Sequence, residues 1–220
     1  GFRCTVGSDH VEAAGLEFLH VVTVDRLGEL LLFVDGRSVG QDFLDAIAQG
    51  AELYAAIESL ISEKMIRRFG VSIYSPDDLE GIIGTFDIHV VQAPLNVFDR
   101  RILGVIDQLT ALNIEVHVRS VFLQGVLIAK PENRPQRFQP WSEHFARFDE
   151  WVNASGMSAM ACCLGFALQQ SGVAKLVIGT TSPKSLTEIM TSIPNMKLEV
   201  PADLQSSSEQ LIDPRVWSVA

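Results

Sequence analysis

What most constrains this chain is a recurring unit: a short apolar run ending in polar or glycine-containing residues, with a helical stretch before the next run. Leu30–Val34, Phe69–Ile73, Ile88–Gln92, Val116–Ser120 and Lys175–Ile178 are such runs, and Phe2–Val6 is a weaker sixth. Brief, continuous apolar runs predict strands buried on both faces, the kind found in parallel sheets with helical crossovers. Crossovers of that kind are right-handed. The chain therefore reads as α/β. Three of the runs end in chemistry-bearing residues: Gln92 to Asn96, His117 to Gly125, and Gly179 to Thr181. In parallel sheets and barrels, ligands bind at the carboxyl ends of the strands.

The intervening segments carry helix signals. Residues 42–64 read as a helix, and Ser75-Pro76-Asp77-Asp78 supplies a capping hydroxyl, a proline at the first helical position and acids at the positive dipole end. Arg100–Leu112 reads as a helix capped by Asp99, with further helices at Trp141–Val152 and at Met157–Ser171, which stops at Gly172. Ser182-Pro183 opens a final helix. Lys130–Pro140 carries three prolines with Arg134 and Arg137, so a surface connection is expected there. Lys197–Ala220 reads as irregular apart from Trp217. A closed eight-stranded barrel takes about 250 residues. The 220 residues here, read as one domain, fall short of that by roughly two βα units.

Composition narrows the partners. Acidic residues outnumber basic ones by 27 to 17, a formal net charge of −10, which disfavours nucleic acid because phosphates need a basic face. There is no apolar run of bilayer length and no leader-like N-terminus, so a cytoplasmic protein without a membrane partner is expected. Cys4, Cys162 and Cys163 have neither disulfide nor metal spacing. The adjacent pair lies in an apolar helical run and reads as buried free thiols. The five histidines form no metal-ligand spacing either. His117 alternates with Arg119 and is expected to be a satisfied core residue.

Several motifs in order resemble the aldo-keto reductases, a (β/α)8 TIM-barrel family that uses nicotinamide cofactors. They are Arg68-Phe69-Gly70-Val71-Ser72-Ile73-Tyr74-Ser75-Pro76, Val91 to Arg101, His117 to Gly125, Val177 to Ser182, and Leu211 to Trp217. The resemblance implies that the visible strands are the third through eighth of the barrel. It implies NADP or NAD as cofactor and a small carbonyl or sugar-like substrate. By the same resemblance Ser72 and Gln92 bind the nicotinamide carboxamide, which needs one donor and one acceptor. Arg119 stands where relatives stack a ring on the nicotinamide; a guanidinium also stacks. Ser120, Phe122, Gln124 and Gly125 fall in the loop around the pyrophosphate. Gly179, Thr180, Thr181 and Ser182 precede a helix N-terminus suited to phosphate. Ser185 and Glu188 match positions facing the adenosine, and Lys184 would meet a 2′-phosphate. Each has a plainer reading: Ser182 as a helix cap, Gln92 bonded only to backbone, Lys184 as a solvated helix-start lysine.

The family's catalytic groups are an aspartate, a tyrosine, a lysine and a histidine on the first four strands. By this resemblance the aspartate and tyrosine would precede Gly1. Thr5 or Val6 occupies the lysine's place, and Val34-Asp35 stands where the histidine is expected. A general acid must reach the developing alkoxide within hydrogen-bond distance. Asp35 would need a raised pKa to serve, and a solvated strand-end carboxylate is its default reading. Tyr54 and Tyr74 are the only tyrosines, and Tyr74 reads as packing or substrate lining. Two functions are therefore expected: a reductase-like oxidoreductase, or a catalytically inactive nucleotide-binding or interaction barrel. An open set of strands also has unpaired edges, which predicts poor solubility or self-association into a homo-oligomer.

Overall fold

The computed structural model describes residues 54–55, 57–180 and 182–217, and the backbone of 19–24 and 30–35. The strand expected at Phe2–Val6, most of the helix expected over 42–64, and Thr181 lie outside the described residues. The strands are β1 (Leu19–Val24), β2 (Leu30–Asp35), β3 (Arg68–Ser72), β4 (Val90–Pro94), β5 (Glu115–Arg119) and β6 (Val173–Leu176). Their order in the sheet is the chain order. β2, β3 and β4 pair in parallel, as the apolar runs predicted. β1 was not anticipated, and it runs antiparallel to β2, with Val24 opposite Leu30 and Val22 opposite Leu32. Five residues separate these two strands in the sequence. That is too few for a parallel crossover and enough for an antiparallel neighbour. The described chain divides into two compact units: residues up to Ala93 with Val105–His117, and Pro94–Gly104 with Val118 onward.

In the first unit, Phe69, Val71, Val90, Val91 and Val116 are buried and form the sheet's core. Helix α1, described over 57–62, contributes Ile57, and α2 (Ile106–Ala111) contributes Ile106 and Leu109. Gly70 lies opposite Val90 in the register of β3 and β4. A Cβ there would lie 2.3 Å from the carbonyl oxygen of Val90, so no larger residue fits without moving backbone. Tyr54 packs against Phe69 and Phe86 with ring centroids 6.2 and 5.1 Å apart, and its hydroxyl accepts the Asp87 N–H at 3.0 Å.

Two expected helices of this stretch are shorter than their signals. Ser75 does cap, forming a reciprocal box with Asp78, but the helix it opens is a single 3-10 turn, Pro76–Leu79. Gly81 and Gly84, both at positive φ, end it. The helix expected over Arg100–Leu112 breaks into a 3-10 turn, Arg101–Gly104, and α2. Gly104 and the non-helical Val105 (φ −122°, ψ 0°) interrupt it.

The second unit is helical around an aromatic core. It holds α3 (Ser142–Ser155), α4 (Ala159–Leu168), β6, α5 (Pro183–Thr191) and α6 (Glu209–Ile212). Phe98 is fully buried, with edge-on contacts to His144, Phe145 and Phe148 at centroid distances of 4.5, 5.3 and 5.6 Å. Each such ring contributes about 1.5–3 kcal/mol by burial. Cys162 and Cys163 are buried free thiols on α4, and burial pushes both upward in pKa. Gly165 on α4 lets Pro194 and Leu198 approach: an added Cβ would lie 2.8 and 2.7 Å from their side chains.

Three expectations are corrected here. Residues 197–217 contribute to the core through Leu198, Leu204, Leu211 and Ile212, in short turns whose apolar residues are too sparsely spaced to show a period. Arg134 is not a surface charge. It makes a bidentate pair with Asp149 at 2.7 and 2.5 Å and stacks on Phe145. The last strand lies two residues earlier than its apolar run suggested and is only partly buried, with Ala174 exposed.

Candidate functional site

Two of the expected site residues meet in the first unit. Ser72 ends β3 and Gln92 lies in β4, directly opposite in the parallel register. The Ser72 hydroxyl donates to Gln92 Oε1 at 3.3 Å. Gln92 is buried and Ser72 half-buried, and the Gln92 carbonyl accepts the Ile73 N–H at 2.8 Å. Asp35 is the register partner of Ser72 on β2, so Asp35 and Ser72, which end their strands, and Gln92, midway along β4, form a row of backbone positions in register. Beyond Ser72 the chain is fixed by Asp78, whose carboxylate accepts the Tyr74 and Ser75 N–H groups at 2.8 and 2.9 Å.

His117 is buried, as expected, and its Nε2 lies 3.1 Å from Glu115 Oε2. A carboxylate only accepts, so that nitrogen carries the proton. Arg68 pairs with the other Glu115 oxygen. Burial alone would raise the Glu115 carboxyl, but Arg68 and His117 together hold it below the ordinary carboxylate range.

The second unit gathers the rest. Arg119 and Ser120 are neighbours at the end of β5, with Arg119 Nη1 3.4 Å from Ser120 Oγ. The loop beyond them is left-handed over much of its length: φ is 59° at Ser120, 47° at Leu123, 54° at Gln124 and 88° at Gly125. Only glycine takes that region without cost; other residues lose about 1–2 kcal/mol each. The loop is closed by Leu123 N–H to Ser120 O at 2.8 Å and Gly125 N–H to Phe122 O at 2.9 Å, with Leu123 as its buried anchor. Phe122 and Gly125 are half-buried and Gln124 is exposed.

Gly179 and Thr180 come after the last strand, with Gly179 open on the side a Cβ would occupy. Ser182 caps α5: its hydroxyl accepts the Ser185 N–H at 3.1 Å and lies 2.9 Å from the Ser185 hydroxyl. Lys184 is exposed, 4.0 Å from Glu188 one turn on. That is the geometry of a solvated ion pair.

Sequence reasoning did not assign the buried polar residues that support these loops: Asn96 stood only as the end of a polar run and Asp99 only as a helix cap. Asn96 is fully buried; its Nδ2 donates to the Ser120 carbonyl at 3.2 Å and its Oδ1 accepts the Phe98 and Asp99 N–H groups at 3.0 and 2.9 Å. Asp99, equally buried, binds Arg101 through both oxygens, which raises the Arg101 guanidinium pKa. Asp213 is buried beside Arg215; burial raises its carboxyl, and Arg215 outweighs that and holds it low. Arg100 reaches the Pro201 carbonyl at 2.8 Å, and Ser206 N–H reaches the Phe98 carbonyl at 2.9 Å. An Asn after a Pro-Leu strand exit was the one available signal. Among the described residues no cluster of His, Cys, Asp or Glu fits a metal ion.

Likeness to known proteins runs through the same segments. The sequence model of the aldo/keto reductase family matches residues 21–202. No curated protein matches the chain. The apo form of aldo-keto reductase AKR11C1 from Bacillus halodurans is 18% identical with a TM-score of 0.61, covering 77% of this chain and 57% of that one. The holo form gives 18% and 0.59, over 77% and 56%. This chain spans a little over half the length of those structures, and at such identity the likeness is one of fold. No single described helix is long and apolar enough to cross a membrane. With a family match over most of its length, the chain belongs to the aldo/keto reductases, and its α/β fold is of their (β/α)8-barrel type.

Proposed function

We propose that this protein is a nicotinamide-dependent oxidoreductase that interconverts small carbonyl or sugar-like substrates with their alcohols. The observation that carries this reading is the Ser72–Gln92 pair, a hydroxyl and a side-chain amide on adjacent parallel strands in matched register. A carboxamide asks for one donor and one acceptor at fixed separation, and this pair offers both. Gln92 holds the half-buried serine hydroxyl in place, and a bound carboxamide would take over the hydrogen bond that the two side chains make with each other. NADPH or NADH, when bound, supplies the hydride.

In this reading Arg119 lies against the nicotinamide, and Ser120, Phe122, Gln124 and Gly125 line the pyrophosphate. Gly179, Thr180, Thr181 and Ser182 serve the adenosine-side phosphate, with Ser185 and Glu188 toward the adenosine. Lys184 would favour a 2′-phosphate and hence NADPH, although its Glu188 partner competes for it. Buried free thiols suit the reducing cytoplasm, where we place the protein. Self-association through the outer edge of β6, half-buried and last in order among the described strands, belongs to the same reading.

A second reading, a nucleotide-binding barrel without turnover, is favoured by Val34-Asp35 at the end of β2, where the family's histidine is expected. One experiment addresses both. NADPH and NADH are titrated by fluorescence, an aldehyde panel is then added, and light scattering gives the oligomeric state. Saturable binding, weakened about tenfold by Gln92→Ala, supports the site. Turnover selects the first reading and binding without turnover the second; no binding of either nucleotide refutes both.

A further inference from the structure

We propose that Asn96 is a positioning residue: it holds the 119–125 loop in its left-handed form and thereby sets the loop's affinity for the dinucleotide. The second half of that statement rests on the cofactor reading above; the first does not.

A serine at φ 59°, as at Ser120, sits in a region that disfavours side chains, and Leu123 and Gln124 repeat the problem within the same turn. Strained backbone persists only where its surroundings over-determine it. Here the hold is specific. The Ser120 carbonyl accepts two donors, Asn96 Nδ2 at 3.2 Å and the Leu123 N–H at 2.8 Å. One residue earlier, the Arg119 carbonyl accepts the Leu95 N–H at 3.0 Å. Successive carbonyls of the strand exit are therefore tied to the Leu95-Asn96 turn, and the loop's conformation is set before any ligand arrives.

Asn96 itself is over-determined. It is fully buried and its Oδ1 receives two backbone N–H groups, so the side-chain amide cannot rotate without leaving both unsatisfied. That fixes which end of the amide faces Ser120: only the NH2 group can. The turn bearing Asn96 is in turn fastened by Arg100 to Pro201 and by Ser206 to Phe98. Asn96 is assigned no contact with cofactor or with a reacting atom; it acts through one carbonyl.

Asn96→Asp is the informative variant. It keeps an acceptor for Phe98 and Asp99 and replaces the donor facing Ser120 with a second acceptor. Hydrogen exchange read by residue should then quicken at Leu123 and across 120–125 while the aromatic core around Phe98 keeps its protection. NADPH affinity should weaken about tenfold. Adding Ser120→Gly tests the route of action, because glycine adopts the left-handed region freely. The double variant N96D/S120G should regain loop protection, which a general loss of stability would not allow. Unchanged exchange at 120–125 in N96D, or failure of the glycine to restore protection, overturns the proposal. If the wild-type protein binds neither NADPH nor NADH while the exchange shifts and their rescue still occur, Asn96 stands as the holder of the loop and the cofactor reading alone falls.

Discussion

At the scale of single residues, small and buried polar side chains decide most. Gly70 is required by the Val90 carbonyl oxygen, which a Cβ would approach to 2.3 Å. Gly70→Ala should therefore force β3 and β4 apart and cost about 3 kcal/mol, the upper end of ordinary overpacking. Urea denaturation reads that cost directly; a midpoint within error of wild type would show that the strands yield freely. Asn96, Asp99 and Asp213 obey a different rule. Each is buried and each has its lone pairs occupied by backbone N–H groups or a guanidinium. Removing one partner of such a set leaves a desolvated polar group, which is why these residues matter more than their exposed neighbours.

Among the elements, caps behaved as their chemistry requires while helix lengths did not. Ser182 and Ser158 both accept the N–H three residues on, opening α5 and α4. Ser182→Ala should destabilise by about 1 kcal/mol through loss of that bond. The effect is best measured by exchange within 183–191, and it should appear whether or not nucleotide is present. Loss of nucleotide binding with unchanged exchange in α5 would instead assign the hydroxyl to the ligand. Ser75 caps equally well, yet it opens only one turn, because two positive-φ glycines come within nine residues. A start signal marks where a helix nucleates and says nothing about how far it propagates.

For the molecule as a whole, pH is the broadest lever. His144 Nε2 donates to the Leu204 carbonyl at 2.9 Å and Nδ1 faces Arg147, so the ring is held neutral. Burial pushes its pKa down, with the Leu204 bond opposing. A histidine whose folded pKa is lowered loses stability as pH falls below its ordinary value of about 6.5, because the unfolded chain takes the proton first. Glu115 and Asp213, both held low, have stability in place above the ordinary carboxylate range that is lost as pH falls through their lowered values. All three have the same sign. Urea midpoints should be level between about pH 7 and 8, decline below about 6.5, and fall further in the carboxylate range. His144→Gln should remove the first decline and leave the second. A midpoint that rises on acidification would contradict both assignments.

The sequence by itself determined the α/β class, five strands to within two residues, and the caps at Ser75 and Ser182, because these rest on local periodicity or on bonds spanning three residues; the family was legible through resemblance, in several motifs in order. It marked Ser72 and Gln92 through the motifs that contain them. Only the tertiary structure decided that the two side chains meet across 20 residues, that Asn96 reaches Ser120 across 24, and that Arg100 reaches Pro201 across 101. It also turned Arg134 from a loop charge into a part-buried pair with Asp149 and paired Lys184 with Glu188. Charge and polarity are written in the chain, but whether a polar group faces water or a partner depends on what folds back against it, and that is a long-range fact.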